Sequence, residues 1–258
     1  MISTINKNRR NNLEQRWTPF LSSGAFMFRH IRVLGWSILL VIVTGGLTWL
    51  GYLQAIQLVD KFTGNFFQLP PEGSGVVGWL TVQGWLILKY LFLMVSRIAA
   101  FYLAFLTAYC ITTPGYVFLS GMVEKIYGKQ TGKPASGFKP QQVLIDLLEG
   151  IKIGAVGILV TIAALAVNFV PVVGQLLVFL LYVFYSTLMF IDYPASNRSW
   201  SLGQKIGWVR INFRRSFRLG VFPALISMVP IINVFFMALF FPLFTVHSTL
   251  NFLSTLER

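Results

Sequence analysis

The side chains with the clearest chemical potential in this sequence are arginines that could bind an anion. Arg29 and Arg32 precede a long apolar run, and their three-residue spacing could bring them together on one helical turn. A second group lies between two later apolar runs, where three arginines recur at every fourth position and so share a helical face. Guanidinium groups form charge-assisted hydrogen bonds with oxyanions, so both groups could bind a small inorganic anion or anionic lipid headgroups. The second group consists of Arg210, Arg214, Arg215 and Arg218.

Residue patterns typical of catalysis or metal binding are missing from the sequence. It has eight acidic residues, and no nucleophile, zinc-protease or nucleotide-binding motif occurs. Cys110 is the single cysteine, and His30 and His247 lie far apart in the chain. We therefore expect no catalytic residue, no metal ligand, no cofactor and no enzyme activity. His247 lies on an apolar segment, so we expect a buried or interhelical hydrogen-bonding residue there, with a proton relay as the alternative.

The composition indicates a protein that lies in a lipid membrane. Fifty-five per cent of the 258 residues are hydrophobic and 11% are charged, whereas soluble domains contain roughly 25% charged residues. The formal net charge of +13 arises from lysines and arginines in short segments between apolar runs. This distribution is typical of the cytoplasmic segments of membrane proteins. It favours anionic lipids as partners of these segments and argues against nucleic acid.

Two long transmembrane helices are predicted first, over residues 33–59 and 76–111. Residues 1–32 form a basic segment that the positive-inside rule places in the cytoplasm, and residues 33–258 form a single membrane domain. The polar region 60–75 has one basic residue and is expected outside the cytoplasm. The compact size and short loops favour a bacterial inner membrane over a eukaryotic organelle.

The second predicted helix is unusually long for a membrane span. At about 36 residues, or roughly 54 Å, it exceeds a bilayer core of about 30 Å, so it must tilt, project or break. The sequence Thr112-Thr113-Pro114-Gly115 is expected to end it, and a short interfacial helix over 116–127 is predicted to follow. Lys89 and Arg97 lie within the span, where they either reach the membrane edge or face an ion path.

Two helical hairpins with matching turns are predicted over residues 153–191 and 219–250. In each hairpin Val-Pro, two β-branched residues and then Gly or Asn interrupt the apolar sequence. Proline disfavours continuation of the helix, and Gly and Asn tolerate the left-handed conformation that a tight turn requires. The predicted turn residues are Pro171, Gly174, Pro230 and Asn233.

The depth of these hairpins in the membrane follows from their length and flanks. Basic residues flank both hairpins, which places both ends of each hairpin, and both chain termini, in the cytoplasm. The first arm of the second hairpin has about 11 residues, or roughly 17 Å of helix, which is too short to span the bilayer. Partial insertion is therefore favoured, with full spans as the alternative. A turn at membrane depth must be shielded by protein or line a watery cavity, so an oligomer or a pore-like centre is expected.

Four short motifs in this order and spacing identify a resemblance. The chain resembles the CysZ sulfate-permease family, which shares a domain with etoposide-induced protein 2.4, over about residues 95–250. The motifs are Thr113-Pro114-Gly115, Val170-Pro171-x-x-Gly174, Asp192-Tyr193-Pro194 and Val229-Pro230-x-x-Asn233.

The resemblance implies a fold with two long transmembrane helices, two partly inserted hairpins and a homo-oligomeric assembly. It implies sulfate uptake across the bacterial inner membrane, which feeds cysteine synthesis. The family's sulfate site lies at the start of the first membrane helix, in a Pro-Gly-Leu-Arg-Arg-like run. The aligned residues 28–33 read Phe-Arg-His-Ile-Arg-Val, which makes Arg29 and Arg32 the candidate anion ligands. The alternative is a non-transporting membrane organiser that binds lipid or a partner protein through its basic helices.

Overall fold

The long apolar runs form helices, because a chain in lipid must satisfy its backbone hydrogen bonds internally. The computed structural model describes residues 17–63, 71, 75–131, 142–228 and 230–256, and the regular structure in these ranges is α-helical throughout. The predicted all-α fold class is therefore confirmed. Numbered in chain order, the helices are α1 (Phe20–Arg29), α2 (Ile31–Thr63), α3 (Gly75–Thr131), α4 (Gln142–Asn168), α5 (Val173–Ser196), α6 (Leu202–Ile211), α7 (Phe213–Ser227) and α8 (Pro230–Leu256).

Five of the described helices are long and apolar enough to cross a bilayer. The candidate span within α4, Leu148–Asn168, is 11% buried inside the protein, which leaves most of its apolar surface to lipid. The candidate span within α8, Ala238–Leu256, is 72% buried, so this helix packs mainly against protein. The chain is therefore a multi-pass integral membrane protein. The first half of the predicted basic segment and most of the predicted region 60–75 lie outside the described residues.

The chain divides into two packed units, and the long helices α2 and α3 contribute to both. One unit comprises Met1–Val41 and Thr112–Arg258, and the other comprises Ile42–Ile111. Within the second unit, a Cβ atom added to Gly51 would lie 3.2 Å from the Cβ of Ala104. Small residues of this kind allow helices to approach closely in lipid.

Helix α3 continues through the predicted break at Pro114, so the predicted helix end and the separate interfacial helix after it are wrong. The missing proline N–H weakens one turn, but neighbouring helices stabilise the segment. The indole Nε1 of Trp36 on α2 donates to the carbonyl of Gly115 at 3.0 Å. Tyr116 and Leu119, three residues apart, are fully buried and pack as one helical face. Tertiary packing therefore overrides the local breaker signal.

The two predicted hairpins are present, and α5 lies at the centre of their packing. Helices α4 and α5 form the first hairpin, helices α7 and α8 form the second, and α6 connects them. Helix α5 packs against α4, α6, α7 and α8. Gly220 allows the closest approach, because a Cβ atom at this position would overlap the carbonyl oxygen of Val183 on α5. The ring of Phe241 on α8 packs against Tyr116, Phe190 and Tyr193.

The first turn differs in detail from its prediction. Val172, with φ at 62°, adopts the positive-φ conformation, while Gly174 lies in the first turn of α5. A side chain at position 174 would collide with the carbonyl group of Val167, so this glycine is required by space rather than by its backbone freedom. Asn233 likewise lies within α8 and not in a turn. The side chains of Asn233 and Pro230 are not among those that the structure describes.

The turn between α4 and α5 presents apolar side chains to its surroundings. Phe169 is 87% exposed and Val172 is 81% exposed, and Pro171 between them is also exposed. Exposed apolar side chains at the tip of a membrane hairpin are stabilised by lipid or by another protein surface rather than by water.

Candidate anion site

The two candidate arginines at the start of the first span lie on different helices. Arg29 is the last residue of α1, His30 is extended with φ −108° and ψ 92°, and Arg32 lies in the first turn of α2. The expectation that one continuous helical turn brings them together is therefore wrong. The break is stabilised locally, because His30 Nδ1 lies 2.8 Å from the carbonyl oxygen of Phe26 and the His30 N–H bonds to Met27. Both arginine side chains are exposed.

The break at His30 creates a helix N-terminus between the two arginines. The amides of Val33 and Leu34 bond to the carbonyl of His30 at 2.9 and 3.1 Å. The amides of Ile31 and Arg32 come before these first helical hydrogen bonds, as the first amides of any helix do. Helix α2 is 33 residues long, and its aligned peptide dipoles place partial positive charge at this end. Backbone N–H groups at a helix N-terminus and two nearby guanidinium groups form a suitable environment for a small anion.

Buried polar contacts fix α1, and hence Arg29, against α8. Thr18 and Asn251 exchange two hydrogen bonds of 3.0 Å. Ser23 Oγ lies 2.9 Å from His247 Nδ1, and the ring of Trp17 meets the imidazole edge-on. His247 is 5% exposed. It therefore forms the predicted interhelical hydrogen bond.

The second arginine group does not share one helical face as its spacing predicts. Helix α6 ends at Ile211, and α7 begins at Phe213, so Arg210 lies on a different helix from the other three arginines. Asn212 lies at the break: its side-chain amide donates to the carbonyl of Trp208 at 3.1 Å, beside the last helical bond from its own backbone N–H at 2.9 Å. Asparagine commonly ends helices through such local bonds.

The four arginines consequently occupy different environments. Arg215 donates to Ser254 Oγ at 2.9 Å and to the Asn251 carbonyl at 3.4 Å, so it links α7 to the end of α8. Arg218 lies over the ring of Trp17, 5.8 Å from its centroid. Arg210 and Arg214 are exposed. Only part of this group therefore remains available for a lipid or an anion.

A buried ion cluster that the sequence reading did not single out joins α4, α5 and α6. Lys205 is fully buried, and its Nζ lies 2.7 Å from Asp192 Oδ1 and 2.9 Å from Glu149 Oε2. It also donates to Ser196 Oγ at 3.3 Å. Glu149 accepts a second bond, of 2.6 Å, from the exposed Lys152. Residue spacing alone does not pair residues this far apart in the sequence. The Asp-Tyr-Pro motif, which contains Asp192, was the one sequence signal for this cluster.

A second ion pair fixes the end of α3 to the segment after α5. Arg198 bonds to both carboxylate oxygens of Glu124, at 2.5 and 3.2 Å. The side-chain amide of Asn197 donates to the carbonyl of Val117 at 3.4 Å. Bidentate arginine–carboxylate pairs have well-defined geometry, so this contact orients α3 against the first hairpin.

The charged residues inside the second span occupy two different surroundings. Lys89 Nζ lies 4.9 Å from the ring centroid of Trp85, which is a cation–π geometry. Arg97 lines a narrow crevice together with Asp60 and Ser96. Within the part of the chain that the structure describes, no group of three or more histidine, cysteine or acidic residues could hold a metal ion.

Comparison with known proteins agrees with the membrane architecture and the hairpin motifs. A family model described as "Sulfate transporter CysZ/Etoposide-induced protein 2.4" matches residues 20–238. A search of curated proteins gave no match. The matched region extends from α1 into α8 and includes both hairpin turns and the Asp192 motif. The chain therefore belongs to the CysZ/etoposide-induced protein 2.4 family.

Proposed function

We propose that the protein carries a small inorganic anion, specifically sulfate, across a bacterial inner membrane and so supplies cysteine synthesis. The observation that carries this proposal is the family match over residues 20–238, which includes the helices that form the candidate site. The five candidate spans provide the membrane-embedded scaffold that transport requires. Basic segments and both termini would face the cytoplasm, in keeping with the positive-inside rule.

The anion would bind at the junction of α1 and α2. Three features support this site: the exposed side chain of Arg29, the exposed side chain of Arg32, and the N-terminus of α2 between them. A sulfate dianion would be attracted by both guanidinium groups and by the positive end of the α2 dipole. The contacts of Ser23 with His247 hold α1 in place, so Arg29 is presented from a fixed helix.

Homo-oligomers are also part of the proposal. Helix α7 has 15 residues, or about 22 Å of helix, against a bilayer core of about 30 Å. The turn that follows it would then end at membrane depth. Non-helical backbone at that depth must be buried in protein or line a watery cavity, and a second copy of the chain would provide that cover.

Radiolabelled sulfate uptake into proteoliposomes tests the transport proposal. We expect uptake above that of empty liposomes, with competition by unlabelled sulfate. The double substitution Arg29→Gln/Arg32→Gln should lower the initial rate about tenfold or more, because hydrogen bonds to charged groups contribute about 1.5–3 kcal/mol each. Lys125→Gln removes the positive charge of an exposed lysine on α3 that is not part of the proposed site, and should leave the rate unchanged.

Size-exclusion profiles of each variant should match that of the parent protein, so that a change in rate reports on the anion site. Equal rates for the parent protein and the double variant would disprove the site assignment. If folded and inserted protein gives no uptake, sulfate transport is disproved, and the non-transporting organiser that binds lipid or a partner protein becomes the favoured function.

A further inference from the structure

An apolar groove lies between the first hairpin and α6. Its volume is about 330 Å³, within the range of roughly 300–1,000 Å³ that is usual for small-molecule sites. Its walls come from α4, α5 and α6, and Phe213 at the start of α7 closes one side. Nine of the ten lining residues are apolar or aromatic, and Arg210 is the single charged one.

The groove lies on the apolar part of the first hairpin, beyond the ion cluster at its polar end. Val156 and Val160 on α4 lie about 10 and 17 Å along the helix from Glu149, which belongs to the ion cluster. On α5, Leu181 and Phe184 line the opposite wall, well before the helix ends at Ser196. Half of the bilayer core is about 15 Å thick, so these lining residues lie at the depth of the acyl chains of one leaflet.

Arg210 is the one charged residue that lines the groove. Its side chain is exposed, and within the described residues it forms no hydrogen bond or ion pair. The Asn212 break separates it from Arg214 and from the anchored Arg215. A guanidinium group at the border of an apolar groove is complementary to a ligand that joins a negative headgroup to a hydrocarbon chain.

We propose that this groove is a binding site for one anionic phospholipid. An acyl chain lies between α4 and α5, and the headgroup phosphate bonds to Arg210. A lipid bound here would bridge α6 to the first hairpin. No other lining residue is charged, so the headgroup position depends on Arg210 alone. The site is separate from the proposed anion site at Arg29 and Arg32, and it does not depend on transport.

Lipid binding by the purified full-length protein in detergent tests this proposal. Native mass spectrometry would count bound phosphatidylglycerol and phosphatidylcholine of equal chain length. We expect one tightly bound phosphatidylglycerol per chain and weaker binding of phosphatidylcholine. Arg210→Gln should weaken phosphatidylglycerol binding about fivefold, since one arginine near an anionic lipid contributes about 1 kcal/mol.

Matched variants separate a defined site from general attraction to a basic surface. Lys125→Gln carries the same charge change on α3, outside the groove, and should bind phosphatidylglycerol as the parent protein does. Val160→Phe fills the groove and should weaken both lipids while Arg210 is intact. Arg210 is exposed, so Arg210→Gln is expected to keep the parent melting temperature without lipid.

Three results would overturn the proposal. Equal losses with Arg210→Gln and Lys125→Gln would indicate attraction by net charge. Unchanged binding in Val160→Phe would place the acyl chain elsewhere. Full displacement of the lipid by millimolar inorganic phosphate would show that Arg210 binds a free anion and that the groove contributes nothing.

Discussion

Lys205 joins three helices through one ammonium group. It is 0% exposed, and it bonds to Glu149 on α4 and to Asp192 on α5 while it lies on α6 itself. A buried charge is tolerated when opposite charges and hydrogen bonds surround it, and its removal leaves the partners uncompensated. The aspartate of the Asp-Tyr-Pro motif therefore has a structural role in this chain.

Replacement of Lys205 by methionine should strongly destabilise the protein. We expect Lys205→Met to lower the free energy of unfolding by about 3–5 kcal/mol, because the carboxylate of Asp192 would remain buried without its main partner. Denaturant unfolding in detergent, followed by tryptophan fluorescence, measures the loss. Lys152→Met is the matched control: Lys152 pairs with the same Glu149 but is 58% exposed, so the loss should be below about 1 kcal/mol.

The double variant Lys205→Met/Asp192→Asn separates the charge effect from lost packing. It should recover part of the loss, since the uncompensated carboxylate is gone. Equal stability of Lys205→Met and Lys152→Met would contradict a structural role for the cluster.

The packing of α7 on α5 depends on a glycine, Gly220, at the contact. Gly220 brings the backbone of α7 against Val183 and Thr187 of α5, and both neighbours are buried. The side chain of Thr187 also donates to the carbonyl of Ser216 on α7, at 2.5 Å. Small residues and interhelical hydrogen bonds are the usual basis of tight helix association in lipid. This contact joins the two hairpins.

Gly220→Ala should therefore destabilise the protein, although alanine is the better helix former. The new methyl group would overlap the Val183 carbonyl oxygen, so α7 must move away, at a cost of about 1–3 kcal/mol. Gly154→Ala on α4 is the control, since no atom lies within 4 Å of a Cβ built there and the change should be neutral or stabilising. Melting temperatures in detergent compare the two. A higher melting temperature for Gly220→Ala would show that the helices are not in close contact.

The helices themselves could be predicted from sequence, whereas two breaks between helices and one continuation through a proline could not. Apolar runs give helices wherever lipid is the solvent, so both hairpins and both long helices were expected. The breaks at His30 and Asn212 rest on one or two local hydrogen bonds that interrupt otherwise regular spacing. Conversely, the Pro114 signal is overridden by packing around Tyr116. Local spacing carries no information on such contacts, which is why neither arginine group was placed correctly.

The distribution of charge limits how the whole chain can lie in a membrane. Arg214, Arg215 and Arg218 occupy the first part of α7 and favour the membrane–water interface. Only Leu219–Ser227 is then available for insertion, about 14 Å of helix. Helix α8 is long enough to cross the bilayer, but α7, the other arm of the hairpin, is not. We therefore expect the turn of the second hairpin to end within a bilayer core of about 30 Å rather than at its far side.

Cysteine labelling of the second turn tests this depth. In a Cys110→Ala background, Met228→Cys places a single thiol beside the turn, where the parent side chain is exposed. A membrane-impermeant maleimide should label it in neither right-side-out nor inside-out vesicles, because the turn ends within the lipid. Gly203→Cys in the exposed first turn of α6 is the control and should react only in inside-out vesicles, where the cytoplasmic face is accessible. Labelling of Met228→Cys in right-side-out vesicles would instead require α7 to draw its arginines into the hydrocarbon, at about 2.5–3.5 kcal/mol for each arginine. That cost is the physical reason to expect a partly inserted hairpin.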